Sequence, residues 1–192
     1  MEAIALDLSP IINLTDEQFF QLCQHHRDYR FERTASGEII IMPPTGGETG
    51  RRNAEIAFQL QAWSRQNKLG IVFDSSTCFK LPHGADRSPD AAWIKKERWE
   101  ALTLEEREKF PPISPDFVLE LGSATDSLTT LQAKMKEYID NGVRLGWLLD
   151  RQNRRVEICR TGKVVEVLQQ PGNLAGEDVL PGFILDLKEI LY

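Results

Sequence analysis

What this sequence has little of narrows its function first. Cysteine occurs three times in 192 residues (Cys23, Cys78 and Cys159), an odd number at wide spacing that suits neither a disulfide framework nor a zinc site built from CxxC pairs. Histidine also occurs three times. Two of these, His25 and His26, are adjacent on a predicted helix, where neighbouring side chains diverge by about 100° and share no metal face. No apolar run reaches the roughly eighteen residues that a membrane-crossing helix needs, and "MEAIALDLSP" carries acids where an export signal carries a basic segment. A soluble, cytoplasmic protein is expected. Positive charge is short as well: the formal net charge is -6, which argues against gripping nucleic acid over the whole surface, because that attraction comes from Lys and Arg neutralising phosphates. Local basic groups remain at Arg51 and Arg52, at Lys95, Lys96 and Arg98, and at Arg151, Arg154, Arg155 and Arg160.

Repeats and low-complexity segments are missing too. What is present, 41% hydrophobic and 27% charged residues, predicts one domain over residues 1–192 with a sizeable core. Thr15 and Gln18 make a capping box ahead of Phe19, Phe20, Leu22 and Cys23 at helical intervals. "RFERTASGEIIIMPP" reads as two short strands around Ser36-Gly37. A turn-rich "TGGETG" precedes a helix that starts at Asn53, carries Ile56, Ala57, Leu60 and Trp63 on one face, and stops before Leu69-Gly70. "IVFDSSTCFKL" is a strand pair or one bent strand, and the loop after it leads to a strand starting at Pro89-Asp90. A short helix capped by Thr103 and Glu106 follows, then the strand "DFVLEL", a turn over Gly122 to Thr125, and the longest helix within "DSLTTLQAKMKEYIDNG". "RLGWLLD" is apolar enough to be a central strand covered on both faces. A hairpin turning at Thr161-Gly162 and the apolar "LPGFILDLKEILY" complete the chain. The succession of helix, three strands, helix and strand predicts an α/β core with a mixed sheet.

Acids stand at the mouths of two strands, in "SPDAAWI" and "SPDFVLELGS". Two carboxylates that share a magnesium or manganese ion must converge to within a few ångströms. Asp116 and Glu120 lie on one strand, roughly 13 Å apart at about 3.3 Å per residue, and cannot share an ion directly. Asp90 and Glu120 belong to different strands, which as neighbours about 4.8 Å apart allow their side chains to meet. Glu120 also lies in a run expected to be buried, where an ionised carboxylate needs a metal or a cationic partner. Either an ion or an arginine at a sheet edge satisfies it. On the following helix Leu128, Leu131, Met135, Tyr138 and Ile139 form an apolar stripe, with Lys134 at its border and able to reach toward the sheet.

These residues carry a resemblance. "SPDAAWIKKERWEAL" and "SPDFVLELGSATDSLTTLQAKMKEYIDNGVRLGWLLD" resemble the Uma-two family of endonucleases in the PD-(D/E)XK, restriction endonuclease-like superfamily, and the likeness runs from "MPPTGGETGRRNAEI" to "LPGFILDL". It implies a restriction endonuclease-like core with an N-terminal helix and β additions, and magnesium-dependent hydrolysis of nucleic-acid phosphodiesters, with manganese as a substitute and DNA favoured over RNA. By resemblance, Asp90 and Glu120 are the metal-binding acids, helped by the backbone carbonyl of Leu121, and Lys134 is the catalytic lysine. The motif's usual lysine position, two residues after the second acid, holds Gly122. Glu55, with Glu48 as its competitor, is similar to an extra acid on the first helix, and Asp116 to a further acid of unassigned role. A catalytically inactive nuclease-fold binding or accessory module is the competing expectation, and a homodimer through "GFILDLKEILY" a further one.

Overall fold

Apolar strand runs interrupted by amphipathic helices sort this chain into two main sheets. The computed structural model describes residues 3–8, 11–123 and 126–192. In chain order the elements are β1 (Ile4–Leu6), α1 (Asp16–His25), β2 (Arg30–Arg33), β3 (Ile39–Met42), α2 (Gly47–Asn67), β4 (Gly70–Asp74), β5 (Phe79–Lys80), β6 (Asp86–Arg87), β7 (Ala91–Lys95), α3 (Lys96–Glu100), α4 (Leu104–Glu108), β8 (Phe117–Gly122), α5 (Leu128–Asp140), β9 (Leu145–Asp150), β10 (Arg155–Arg160), β11 (Glu166–Gln169), β12 (Asn173–Ala175), β13 (Ile184–Asp186) and α6 (Lys188–Leu191). The larger sheet has the order β11-β10-β9-β8-β7-β4, the second β1-β3-β2-β6-β5, and β12 pairs with β13.

Within the larger sheet β8 and β9 run parallel, and the other neighbours are antiparallel. A parallel pair needs a crossover, which α5 supplies. The mixed sheet and the order α2, β4, β7, β8, α5, β9 match the expected core.

Alternation along β8 assigns its two faces. Phe117, Leu119 and Leu121 pack with Ile56, Leu60 and Trp63 of α2 and with Leu145, Trp147 and Leu149 of β9. Val118 on the other face packs with Met135 and Tyr138 of α5. Every residue of β8 and β9 is buried, as expected for strands covered on both sides. The predicted capping boxes at Thr15 and Thr103 are both formed.

Several expectations are corrected. Helix α2 begins at Gly47, six residues before Asn53, and its 21 residues make it longer than the 13 of α5. The glycines of "TGGETG" occupy its N-cap and first turns, where glycine is tolerated, so the turn signal was a helix start. "IVFDSSTCFKL" divides between sheets: β4 pairs with β7 and β5 with β6. Gly122 ends β8, and positions 124 and 125 of the expected turn lie outside the described residues. In "GFILDLKEILY" the side chains of Phe183, Leu185, Leu187, Ile190 and Leu191 are buried in the chain's own core, and Ile184 and Tyr192 are exposed. Among the described residues no helix is long and apolar enough to cross a membrane.

Candidate active site

Antiparallel pairing of β7 with β8 sets Ala91 opposite Leu119, so the residue before β7, Asp90, comes beside Glu120. Asp90 is fixed from two sides: its Oδ2 accepts from the Leu121 N–H at 2.9 Å, and its Oδ1 accepts from the Asn53 side-chain amide of α2 at 3.0 Å. Glu120 shares the α5-facing side of β8 with Val118. Its Oε1 accepts from Lys134 Nζ at 2.9 Å and from the Tyr138 hydroxyl at 3.0 Å. The three residues singled out in the sequence are thus brought together. They line one cleft of about 620 Å³, along with Leu121.

The position of Lys134 explains Gly122. Glu120 and Gly122 lie two apart and face the same way, and a Cβ at position 122 would stand 3.3 Å from the Leu149 carbonyl oxygen and 3.4 Å from Leu131 Cδ1. Leu131 precedes Lys134 by three residues on α5, so position 122 is crowded by β9 on one side and by α5 on the other, and the same helix supplies the ammonium at Glu120.

Sequence reasoning missed the other half of the polar network. Glu32 of β2 is 2% exposed, and its Oε1 lies 2.8 Å from Lys134 Nζ. The same oxygen accepts from the Ser88 N–H at 2.9 Å, and Oε2 accepts from Arg87 Nη1 at 3.1 Å. Arg87 in turn donates to Glu137 through Nε at 2.6 Å and through Nη2 at 3.1 Å. Lys134 therefore sits between two carboxylates from different sheets. The one hint in the sequence was the alternation of Arg30 and Glu32 in a strand whose partner reads "IIIM", a polar face on a strand otherwise placed to be covered.

Protonation follows from this burial. Desolvation pushes the Glu120 carboxyl up to about 7; the Asp90 and Glu32 charges add to the rise and Lys134 opposes it. Burial also raises Asp90, against the Leu121 N–H, Lys134, Arg30 and Asn53. Glu32 is desolvated too, but Lys134 and Arg87 hold it below the ordinary carboxylate value. Burial alone would depress the Lys134 ammonium, but Glu120 and Glu32 raise it above the normal lysine value, so it stays charged.

Asp90 and Glu120 are hard oxygen donors, desolvated and mutually repelling, and a divalent cation beside them would offset that repulsion. The residues present fit such an ion. Among the described residues no three His, Cys, Asp or Glu side chains converge on one ion position, so the fit rests on two carboxylates rather than a full side-chain cage. Asp126 also lines the cleft, with its Oδ2 accepting from the Ser123 N–H at 2.7 Å.

The remaining predicted acids lie elsewhere. Asp116 stands before the opposite end of β8, where it accepts from the Lys95 N–H at 2.8 Å and pairs with Arg98 at 2.9 Å. Glu48 pairs with Arg52 and Arg51, and Glu55 accepts from Gln59; neither lines the cleft. On α2, Asn53 reaches Asp90 and Thr49 lines the cleft.

Comparison with known proteins places this arrangement. The crystal structure of a putative nuclease from Anabaena variabilis superposes with a TM-score of 0.76 at 20% sequence identity, covering 93% of this chain and 97% of that one. That likeness shows a shared fold, and the architecture is restriction endonuclease-like. No curated protein matches the chain. The Uma2 (Uma-two) family, described as "Putative restriction endonuclease", matches residues 16–188. Since that match takes in Asp90, Glu120, Lys134 and nearly all of the fold around them, the chain belongs to the Uma2 family.

Proposed function

We propose that this protein is a metal-dependent endonuclease that hydrolyses phosphodiester bonds in nucleic acid, with DNA as the substrate. The observation that carries the proposal is the convergence of Asp90, Glu120 and Lys134 in one cleft, with the Glu120 carboxyl titrating near neutrality. The family's description as restriction endonucleases supports DNA.

Asp90, Glu120 and the backbone carbonyl of Leu121 would hold magnesium, or manganese in its place. When bound, such an ion supplies positive charge to phosphoryl oxygens and acidifies a water. Asp90 is oriented for its part by the Leu121 N–H and by Asn53. Glu120 acts as its carboxylate, the form that Lys134 and Tyr138 stabilise by hydrogen bonding. Lys134 stays protonated between Glu32 and Glu120, which suits it to orient the attacking water and to neutralise charge developing on the phosphoryl group rather than to abstract a proton. Gly122 does not count against activity on this reading, because the ammonium arrives from α5.

The test is a plasmid-nicking assay in magnesium and in manganese. The parent is expected to cut; Asp90→Ala and Glu120→Ala are expected to lose cutting while remaining folded. Undiminished cutting by both variants overturns the proposal, and a parallel assay on single-stranded RNA decides the substrate class.

A further inference from the structure

The β2–β3 hairpin stands outside the helix-and-strand core, yet it forms one wall of the cleft. Arg30 and Glu32 are two residues apart on β2, so they point to the same side of the strand. Both line the cleft, as do their β3 partners Met42 and Ile40. Glu32 is engaged by Lys134, Arg87 and Ser88. Arg30 is different: its Nε is shielded from solvent without a hydrogen-bond partner, and its side chain makes no hydrogen bond or ion pair with any described residue. Arg107 and Arg155 also have unpartnered Nε atoms, but each is anchored through Nη2, to the Glu100 carbonyl at 2.8 Å and to Glu157 at 2.6 Å. Among the described residues three cations line the cleft. Arg87 and Lys134 are held by carboxylates, which leaves Arg30 as the cation with no carboxylate partner among the described residues. Arg30 lines the same cleft as Asp90 and Glu120, and its positive charge favours the Asp90 carboxylate.

A shielded donor left unpaired is costly, and a guanidinium's planar fork matches two oxygens of a phosphate. The cleft is otherwise acidic, so a polyanionic strand needs at least one cation there that the protein has not already neutralised. We propose that Arg30 binds the phosphate that lies against Asp90 and Glu120, donating hydrogen bonds to its non-bridging oxygens and so placing the strand for cutting. This inference rests on reading the cleft as a phosphodiester hydrolase. Arg30 is then a substrate-binding residue contributed by the hairpin.

The test uses the full chain and a short fluorescein-labelled DNA duplex of mixed sequence, with binding followed by anisotropy in calcium and cutting followed in magnesium. Arg30→Ala is expected to melt with the parent and to weaken binding by about 10- to 100-fold, as for one lost charge-assisted contact. Its slope of log affinity against log salt is expected to be shallower by about 0.9, the value for one phosphate contact. Arg30→Lys is expected to recover the salt slope and only part of the affinity. Should Arg30→Ala fail to fold, Arg30→Gln, which keeps the stem and removes the charge, gives the same reading. A neutral variant that binds with the parent's affinity and slope overturns the proposal, whether or not the parent cuts. A parent that binds through Arg30 but never cuts leaves this assignment standing and removes the hydrolase. A parent that cuts, with KM unchanged in Arg30→Ala, does the reverse. A parent that neither binds nor cuts overturns both.

Discussion

Lys134 Nζ and Glu32 Oε1 meet at 2.8 Å, joining the helix over the larger sheet to a strand of the second one. Glu32 also holds Arg87 and the Ser88 N–H, so it fixes where the lysine can stand. Glu32→Gln is expected to lower kcat by about tenfold or more with a smaller effect on KM, as for loss of a group that positions the catalytic set. Because Glu32 is one of the charges holding the Lys134 ammonium up, the alkaline limb of the kcat profile is expected to move to lower pH in the variant. An unmoved limb with unchanged kcat would make Glu32 a purely structural acid.

The Glu120 carboxyl gives a second prediction. Its value in the folded protein is about 7, against 4.5 for the unperturbed group. Between these values the folded protein retains a proton that the unfolded chain has released, so stability falls as pH rises through this window and stays lower above it. Glu120→Gln lacks that titration, and its melting temperature is expected to gain on the parent's from about pH 5 to about pH 8. Magnesium is expected to raise the parent's melting temperature more at about pH 8 than at about pH 5.5, since binding requires the carboxylate, and not to raise that of Glu120→Gln. Parallel pH curves for parent and variant would refute the shift.

Position 122 provides the third. Lys134→Ala is expected to reduce cutting by about 10²- to 10⁴-fold, the range for a lost catalytic group. Moving the lysine to the motif's usual place, in Gly122→Lys/Lys134→Ala, is expected not to restore it, because a side chain there starts 3.3 Å from the Leu149 carbonyl oxygen and 3.4 Å from Leu131. Recovery in the double variant would show that α5 yields more easily than its packing implies.

Asp116 serves as an internal control. It is buried, pairs with Arg98 and caps the Lys95 N–H, away from the cleft. Asp116→Ala is expected to cost about 1–3 kcal/mol in chemical denaturation, the usual result of stranding a buried partner, while leaving the magnesium-induced rise in melting temperature intact. Loss of that rise without loss of stability would assign Asp116 to the ion instead.

The legible half of this molecule was the half written in local pattern. Alternation in "FVLELG" put Glu120 on one face, helical spacing put Lys134 at a stripe border, and both positions survive in the fold. Asp90 was found because it opens a strand. Arg87 and Tyr138 escaped because nothing local marks them, and Glu32 and Arg30 because their alternation on β2 does not name the partners they meet. Glu32 and Ser88 are 56 residues apart in sequence, and they meet only because β2 pairs with β6 at Arg33 and Asp86. Tyr138 read as apolar stripe, which it is, except for the hydroxyl that reaches Glu120. The start of α2 was hidden by glycines, whose low interior helix propensity says little about an N-terminus.

Arg87 belongs to the second sheet and Ala91 to the larger one, and just three residues, Ser88, Pro89 and Asp90, join them. The cleft is thus a seam, and the shorter of the two brief connections between the sheets, the other running from Asp74 to Phe79, includes one of the cleft's own acids. A displacement of the outer sheet, by a bound strand or by a substitution at the Arg33 and Asp86 contact, would tug on Asp90 directly, so grip on the substrate and geometry at the acids cannot be adjusted separately.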